Sequence, residues 1–243
     1  MPDNKIDQIL TRDEKALTIM AHDIKTPLMS IVSMLAVIKK GYVDDDTEKM
    51  KDLVNRSIKQ AESLIAMLDD ILDYTLLADK SNVKREPVHL FEVFKESINV
   101  MRTYVEQKHI EFTYAPDLGK DQYIYGNRTF LLRAFNNILM NAIKYNKEQG
   151  TITIDCRQNN HKDNITITFS DTGIGISKED LEKVFKIFER GRQARRNLDG
   201  SLGLGLSLVK QIIDFHFGEI TMKSTVGKGT TITVTLPLYK KEK

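Results

Sequence analysis

The 243-residue chain holds one cysteine, no tryptophan and five prolines. A single cysteine, Cys156, excludes an internal disulfide and any metal centre built on several thiolates, which fits a reducing compartment. It lies in an alternating strand pattern, the place of a small core residue. Charge of one sign is also missing: 36 Lys and Arg against 34 Asp and Glu leave +2, so the balance points to no nucleic acid and to no acidic partner. Long hydrophobic runs are lacking too. The longest, MSIVSMLAVI at 29–38, is interrupted by serine and falls short of the roughly 20 residues of a membrane span, and MPDNKIDQILTRDEK at the start lacks a signal peptide's apolar core. No membrane span is expected in these residues, which read as soluble and cytoplasmic. Internal repeats and low-complexity tracts do not appear. What is present, 41% hydrophobic and 29% charged residues, suits one large folded domain or two modest ones.

Leu17, Ala21, Ile24, Leu28, Ile31, Leu35 and Ile38 recur in alternating steps of four and three, the period of a helix packed along a coiled-coil-like seam. Gly41 offers a helix stop, and DDDTE at 44–48 offers an N-cap at Asp45 with Glu48 three residues on. Val54, Ile58, Ala61, Ile65, Leu68 and Leu72 then repeat the rhythm. The pattern predicts an all-α antiparallel hairpin over 1–78 with its two seams in contact. Flanking apolar residues such as Met20, Val32, Leu64 and Ile71 are left over, so a homodimer is expected in which two hairpins form a four-helix bundle. Inside the first helix, Pro27 has no N–H for the Asp23 carbonyl and bends the helix near His22, which lies outside the buried stripe. A lone histidine there is either a plain surface residue or a nucleophile open to an incoming group.

Residues 79–88 are polar up to Pro87 and read as a hinge linker. From 89 to 243 helices and strands mix. HLFEVFKESINVMRTYVEQK, RTFLLRAFNNILMNAIKYN and LGLSLVKQIIDFHF have helical period; IEFTYA, TITIDCRQ, NITITFSD, EITMKST and TITVTLPL read as strands. The order predicts an α+β domain, helices on one face of a mainly antiparallel sheet.

Two glycine-bearing segments stand out there: DTGIGI at 171–176, leaving a strand, and SLGLGLSLVK at 201–210, opening a helix. Glycines before a helix let the backbone approach a phosphate, whose charge the helix N-terminus favours; tight turns at element ends are the alternative for either one alone. In NNILMNAIKYN, Asn137 and Asn141 lie one turn apart, with Lys144 and Tyr145 further along the same edge. Such a pair can offer neutral oxygens to a phosphate-bound magnesium, lysine a charge for phosphate and tyrosine a face for a base. A capping or solvent-facing asparagine pair is the plainer alternative.

HDIKTPL, NNILMNAIKYN, DTGIGI, FKIFERGRQ and LGLGLSLVK, in this order, resemble the histidine, asparagine, first glycine, phenylalanine and second glycine boxes of a bacterial sensor histidine kinase. The similarity runs from about residue 12 to 240. It implies a dimerisation and histidine-phosphotransfer hairpin followed by a catalytic domain with the Bergerat ATP-binding fold, a two-layer sandwich. The resemblance makes His22 the phosphorylated nucleophile, Asp23 the holder of its second ring nitrogen, and Thr26 the residue that supports dephosphorylation of the partner. It gives Asp171 the adenine amino group and lets Gly173 and Gly175, with Ile176, pass close to the base. Asn141 and Asn137 flank Mg²⁺, and Lys144 and Tyr145 border ATP. Residues from about 173 to 203 correspond to an ATP lid, pinned by Phe185 and Phe188, from which Arg190 reaches the phosphates. Gly203, Leu204, Gly205 and Leu206 form the second glycine box.

The implied activity is autophosphorylation of His22 and transfer to an aspartate on a response regulator receiver domain, with input from a sensory domain or partner outside the chain. Three places depart from the family pattern: Ser201 and Leu202 replace a glycine and a hydroxyl residue, Asn127 follows Gly126 where aspartate is usual, and HGG becomes HFG at 216–218. An ATPase of the same fold would carry a glutamate base at the position of Asn137. A catalytically silent dimeric scaffold is the second alternative.

Overall fold

A computed structural model describes residues 12–78, 83–115, 118–159, 161, 163–185 and 204–240. Helices α1 (Arg12–Lys39) and α2 (Thr47–Ala78) form the hairpin, and α1 is continuous through Pro27. Gly41 turns the chain with φ +74°, the left-handed backbone that glycine adopts without a steric penalty. The cap of α2 is Asp46, whose Oδ1 accepts the Lys49 N–H at 2.9 Å; Asp45, expected in that role, stands one residue too early.

The hairpin corrects the expected seam. Pro27, Met34, Ser57 and Met67 are buried, whereas Leu28, Leu35, Ile58, Ile65, Leu68 and Leu72 are 44–59% exposed. A heptad pattern marks the side facing a bundle axis, but it does not say whether the helix across that axis belongs to the same chain. Here those six heptad residues are left outward, while Ile24, Ile31, Ile38 and Ala61 of the same stripe are half-buried. Leu64 and Ile71, expected to await a second hairpin, pack instead beside Met67 and Leu204. Outward apolar residues also give Met20–Lys39 the length and composition of a membrane-crossing helix, with mean hydropathy 1.2, which the interrupted run at 29–38 did not suggest.

The second unit begins inside the expected linker. β1 (Glu86–His89) pairs antiparallel with β3 (Tyr123–Gly126) as a two-stranded sheet. A five-stranded sheet has the order β2 (Glu111–Tyr114), β4 (Thr151–Gln158), β5 (Asn164–Asp171), β7 (Gly229–Pro237), β6 (Glu219–Thr225), antiparallel except for the β2–β4 pair. Helices α3 (Leu90–Gln107), α4 (Arg128–Lys144) and α6 (Gly205–Phe215) cover one face. The core is the meeting of that layer with inward residues of alternating strands, among them Ile152, Ile154, Ile167, Phe169 and Val234; period-two alternation puts these on one face. A short α5 (Lys178–Leu181) starts on Ser177, whose hydroxyl accepts the Asp180 N–H. This is the α+β two-layer domain that the strand and helix periods predict.

Candidate functional site

On α1 the His22 side chain is 77% exposed, and its Nδ1 lies 3.2 Å from Asp23 Oδ1. Adjacent helical positions diverge by about 100°, so spacing alone does not announce this contact, yet the two side chains close it. With Nδ1–H donated to the carboxylate, Nε2 is the nitrogen that carries a lone pair. One turn on, Thr26 Oγ1 donates to the His22 carbonyl at 3.0 Å, placing the hydroxyl on the histidine's side of the helix.

The second cluster forms where β5 ends against α4. Asp171 Oδ1 accepts two backbone bonds, from Gly173 N–H at 2.8 Å and from Thr230 N–H at 3.2 Å. Burial raises its carboxyl above the usual range while these two N–H groups pull it down. Gly173 is pressed on the end of α4: an added Cβ would stand 2.3 Å from the Tyr145 carbonyl oxygen, which also accepts the Ile174 N–H at 3.0 Å. Gly175, at φ +69°, leaves no room either, its Cβ position being 2.1 Å from Thr225 O. Ile176 N–H donates to Ser224 Oγ at 2.8 Å. The glycine loop is thus stitched to the β6–β7 end on one side and to α4 on the other.

Along α4, Asn137, Asn141, Lys144 and Tyr145 form a half-buried edge. Lys144 Nζ sits 5.3 Å from the centre of the Tyr145 ring. Lys108, from the end of α3, donates to the carbonyls of Ile143 and Lys144 at 2.9 and 2.8 Å, closing the C-terminus of α4 with a cation. Opposite, the start of α6 leans on the same edge, since a Cβ on Gly205 would lie 3.3 Å from Asn137 Oδ1. Leu204 at the N-cap offers no side-chain acceptor, so among the described residues the first N–H groups of α6, beside Asn137, have no capping side chain. Leu206 packs half-buried on the core and Leu204 is buried against Met67 of α2. Phe185 also packs on the core. Phe188, Arg190, Ser201, Leu202 and Gly203 lie outside the described residues.

The structure brings Asp171, Gly173, Gly175, Ile176 and Tyr145 together, and Asn137 with Gly205; His22, Asp23 and Thr26 form a separate group on α1. Neutral amide oxygens on a half-buried edge, with glycine keeping the facing helix start clear, fit a magnesium ion bound jointly with phosphates. Among the described residues no three His, Cys, Asp or Glu side chains gather into a metal cage. Sequence reasoning missed three supporting residues. Arg133 on α4 pairs with Asp70 and Asp73 on α2, at 2.9 and 2.7 Å. His216 is fully buried, with Nδ1 2.6 Å from the Ile212 carbonyl and Nε2 accepting the Asn127 N–H at 3.0 Å. Asn127 in turn caps α4 by accepting the Phe130 N–H. His216 opens the altered HFG noted in the sequence, and the third residue, Arg85, discussed below, touches Phe217 of the same triplet.

An exposed histidine on a helical hairpin, joined to a two-layer domain with a glycine loop and an asparagine edge, is the arrangement that a phosphoacceptor unit coupled to an ATP-binding unit requires. Comparison with known proteins agrees. The "His Kinase A (phospho-acceptor) domain" family matches residues 13–80, and the "Histidine kinase-, DNA gyrase B-, and HSP90-like ATPase" family matches 126–240. Sensor histidine kinase WalK of Bacillus subtilis is 33% identical over 92% of this chain and 36% of its own length. Histidine protein kinase SaeS of Staphylococcus aureus is 32% identical over 89% and 61%. The histidine kinase AdeS of Acinetobacter baumannii has the same fold, with TM-score 0.69, 22% identity and coverage of 90% of this chain and 98% of that one. The chain belongs to the sensor histidine kinases and is a catalytic core of that family. It spans about a third or less of the first curated relatives it matches.

Proposed function

We propose that this core phosphorylates His22 with ATP and passes the phosphoryl group to an aspartate of a response regulator receiver domain. The observation that carries the reading is the pairing of His22 Nδ1 with Asp23 beside an exposed ring. The Nε2 lone pair attacks the γ-phosphorus, the bond to the β,γ-bridging oxygen breaks, and ADP leaves with that electron pair. The ring keeps its Nδ1 proton and becomes a phosphoryl-imidazolium, whose charge the Asp23 carboxylate offsets. Attack by the receiver carboxylate then breaks the P–N bond and restores neutral imidazole.

In the nucleotide site Asp171 Oδ1 is engaged twice, so Oδ2 is the oxygen left for the adenine amino group. Gly173, Gly175 and Ile176 border the base, Lys144 and Tyr145 the sugar and phosphates, and Leu204, Gly205 and Leu206 open the helix whose N–H groups favour phosphate. Phe188, Arg190 and Gly203 complete the site from the lid. Asn141 and Asn137 would hold Mg²⁺, which neutralises phosphate charge when bound. Thr26 commits its proton to the His22 carbonyl, so its lone pairs can orient a water toward the receiver's acyl phosphate. This supports a phosphatase activity.

The outward stripe on α1 and α2 supports a homodimer with a four-helix bundle, and the same stripe accounts for the apolar length of Met20–Lys39 without a lipid partner. The core acts in the cytoplasm, with hairpin 1–78, linker from 79 and catalytic domain to 243, driven by a sensory domain or input protein outside the chain. Labelling with γ-labelled ATP tests the reading. Wild type should take up an acid-labile, base-stable phosphate that His22→Gln lacks. Release of phosphate by both would mark an ATPase, and neither uptake nor release a scaffold.

A further inference from the structure

Helix α6 ends in a Schellman motif: Gly218 N–H bonds the Ile213 carbonyl at 2.9 Å and Phe217 N–H bonds Asp214 at 3.1 Å. The residue before Gly218 must be left-handed, a position that glycine or asparagine normally fills. Phe217 fills it here, at φ +57° and 70% exposed. A bulky residue in that backbone region is strained, and its ring gains little from burial. What the ring does have is Arg85. The guanidinium carbon lies 4.6 Å from the Phe217 ring centre and 4.1 Å from that of Phe215, and Nη2 donates to the Phe215 carbonyl at 2.9 Å. A guanidinium this close to two ring centres is attracted to both by cation–π interaction.

Arg85 belongs to the segment that enters the nucleotide domain from the hairpin. Just before it, Lys84 O accepts from Asn127 Nδ2 at 3.2 Å, and Val83 packs on the core. The last residue of α2 is Ala78, and Val83 is the first described residue beyond it. We propose that Phe217 and Arg85 form a clamp that fastens the chain where it enters the nucleotide domain, and so act as positioning residues for phosphoryl transfer to His22. The proposal rests on the kinase reading above. Opening the clamp frees Arg85 and loosens Lys84 and Val83 beside it, which lengthens the connection between the two units. Effective concentration falls roughly as the −3/2 power of tether length, which lowers the transfer rate about twofold, with loss of orientation adding to it.

Two measurements on the full chain test this. Trypsin cleavage after Lys84 and Arg85, followed by mass spectrometry, needs no catalysis; the initial rate of His22 labelling against ATP concentration reads the reaction. Phe217→Gly, which also relieves the strained backbone, should speed cleavage about two- to fivefold and lower the maximal labelling rate about two- to fivefold with an unchanged KM. Arg85→Lys should behave likewise, Phe217→Trp should behave as wild type, and a three-residue insertion after Lys80 should lower the rate while leaving cleavage after Arg85 unchanged. Native cleavage in Phe217→Gly, equal losses in Phe217→Trp, or a rise in KM would overturn the proposal. If wild type takes up no phosphate, the kinase reading fails while the cleavage comparison still decides the clamp.

Discussion

Arg133 and Asp73 stand 2.7 Å apart although one lies on α4 of the nucleotide domain and the other on α2 of the hairpin. The same guanidinium holds Asp70 at 2.9 Å, and all three side chains are a quarter exposed or less. Burial raises both carboxyls, while Arg133 pulls them down.

Arg133→Met should therefore weaken docking of the two units, by about 1–3 kcal/mol, because it leaves two sheltered acids without their cation. X-ray scattering at pH 7.5 should show a larger radius of gyration than wild type. Docked carboxyls with raised pKa bind protons more tightly than free ones, so lowering the pH toward 5 should restore compactness in the variant. A radius identical to wild type at pH 7.5 would remove Arg133 from the docking account.

His216 supports a second prediction. Burial holds its pKa down to about 4 against an ordinary 6.5, so the unfolded chain takes up the proton first. Its contribution is complete above pH 6.5 and declines as pH falls toward 4, by about 3 kcal/mol at about 1.36 kcal/mol per unit. Thermal unfolding of wild type and His216→Gln between pH 7.5 and 4.5 should show the steeper loss in wild type. Parallel curves would mean that His216 is not the titrating group.

Gly173 and Gly205 should differ in tolerance. A methyl on Gly173 meets the Tyr145 carbonyl at 2.3 Å, backbone that cannot yield, whereas one on Gly205 meets the Asn137 side chain at 3.3 Å. Gly173→Ala is expected to reduce affinity for a fluorescent ATP analogue at least about tenfold, equal to 1.4 kcal/mol, and Gly205→Ala only a few-fold. Equal effects would contradict the backbone argument.

Thr26→Ala should abolish dephosphorylation of a phosphorylated receiver domain and leave His22 labelling within about twofold, since the lost hydroxyl bonds only a helix carbonyl that keeps its main-chain donor. Equal loss of both activities would assign Thr26 to the helix rather than to the water.

Much of this architecture is legible in sequence because it repeats. Heptad steps reveal the two long helices, period-two alternation reveals β4, β5, β6 and β7, and paired glycines with the Asn137–Asn141 spacing mark the segments that meet where β5 ends against α4 and where α6 begins. The short strands β1 and β3 escape such reading: each has four residues, one contains Pro87 and the other ends at Gly126, and they pair only with each other. Arg133 with Asp70, His216 with Asn127 and Arg85 with Phe215 escape for another reason. Each is a single contact between residues 60 or more positions apart, and nothing periodic announces it. The heptads mark a stripe of which Leu28, Leu35, Ile58, Ile65, Leu68 and Leu72 stay exposed, but they leave open which helix would cover it.

Helix α2 serves two neighbours at once, carrying Ile65, Leu68 and Leu72 outward and Met67, Asp70 and Asp73 toward the nucleotide domain. A roll of this one helix about its long axis cannot improve both fits. In the proposed dimer, whatever tightens the grip of a second hairpin would loosen the hold on Leu204 and Arg133, so a roll of α2 would reach the nucleotide domain as a change of footing, by a route that bypasses the connecting strand of residues altogether.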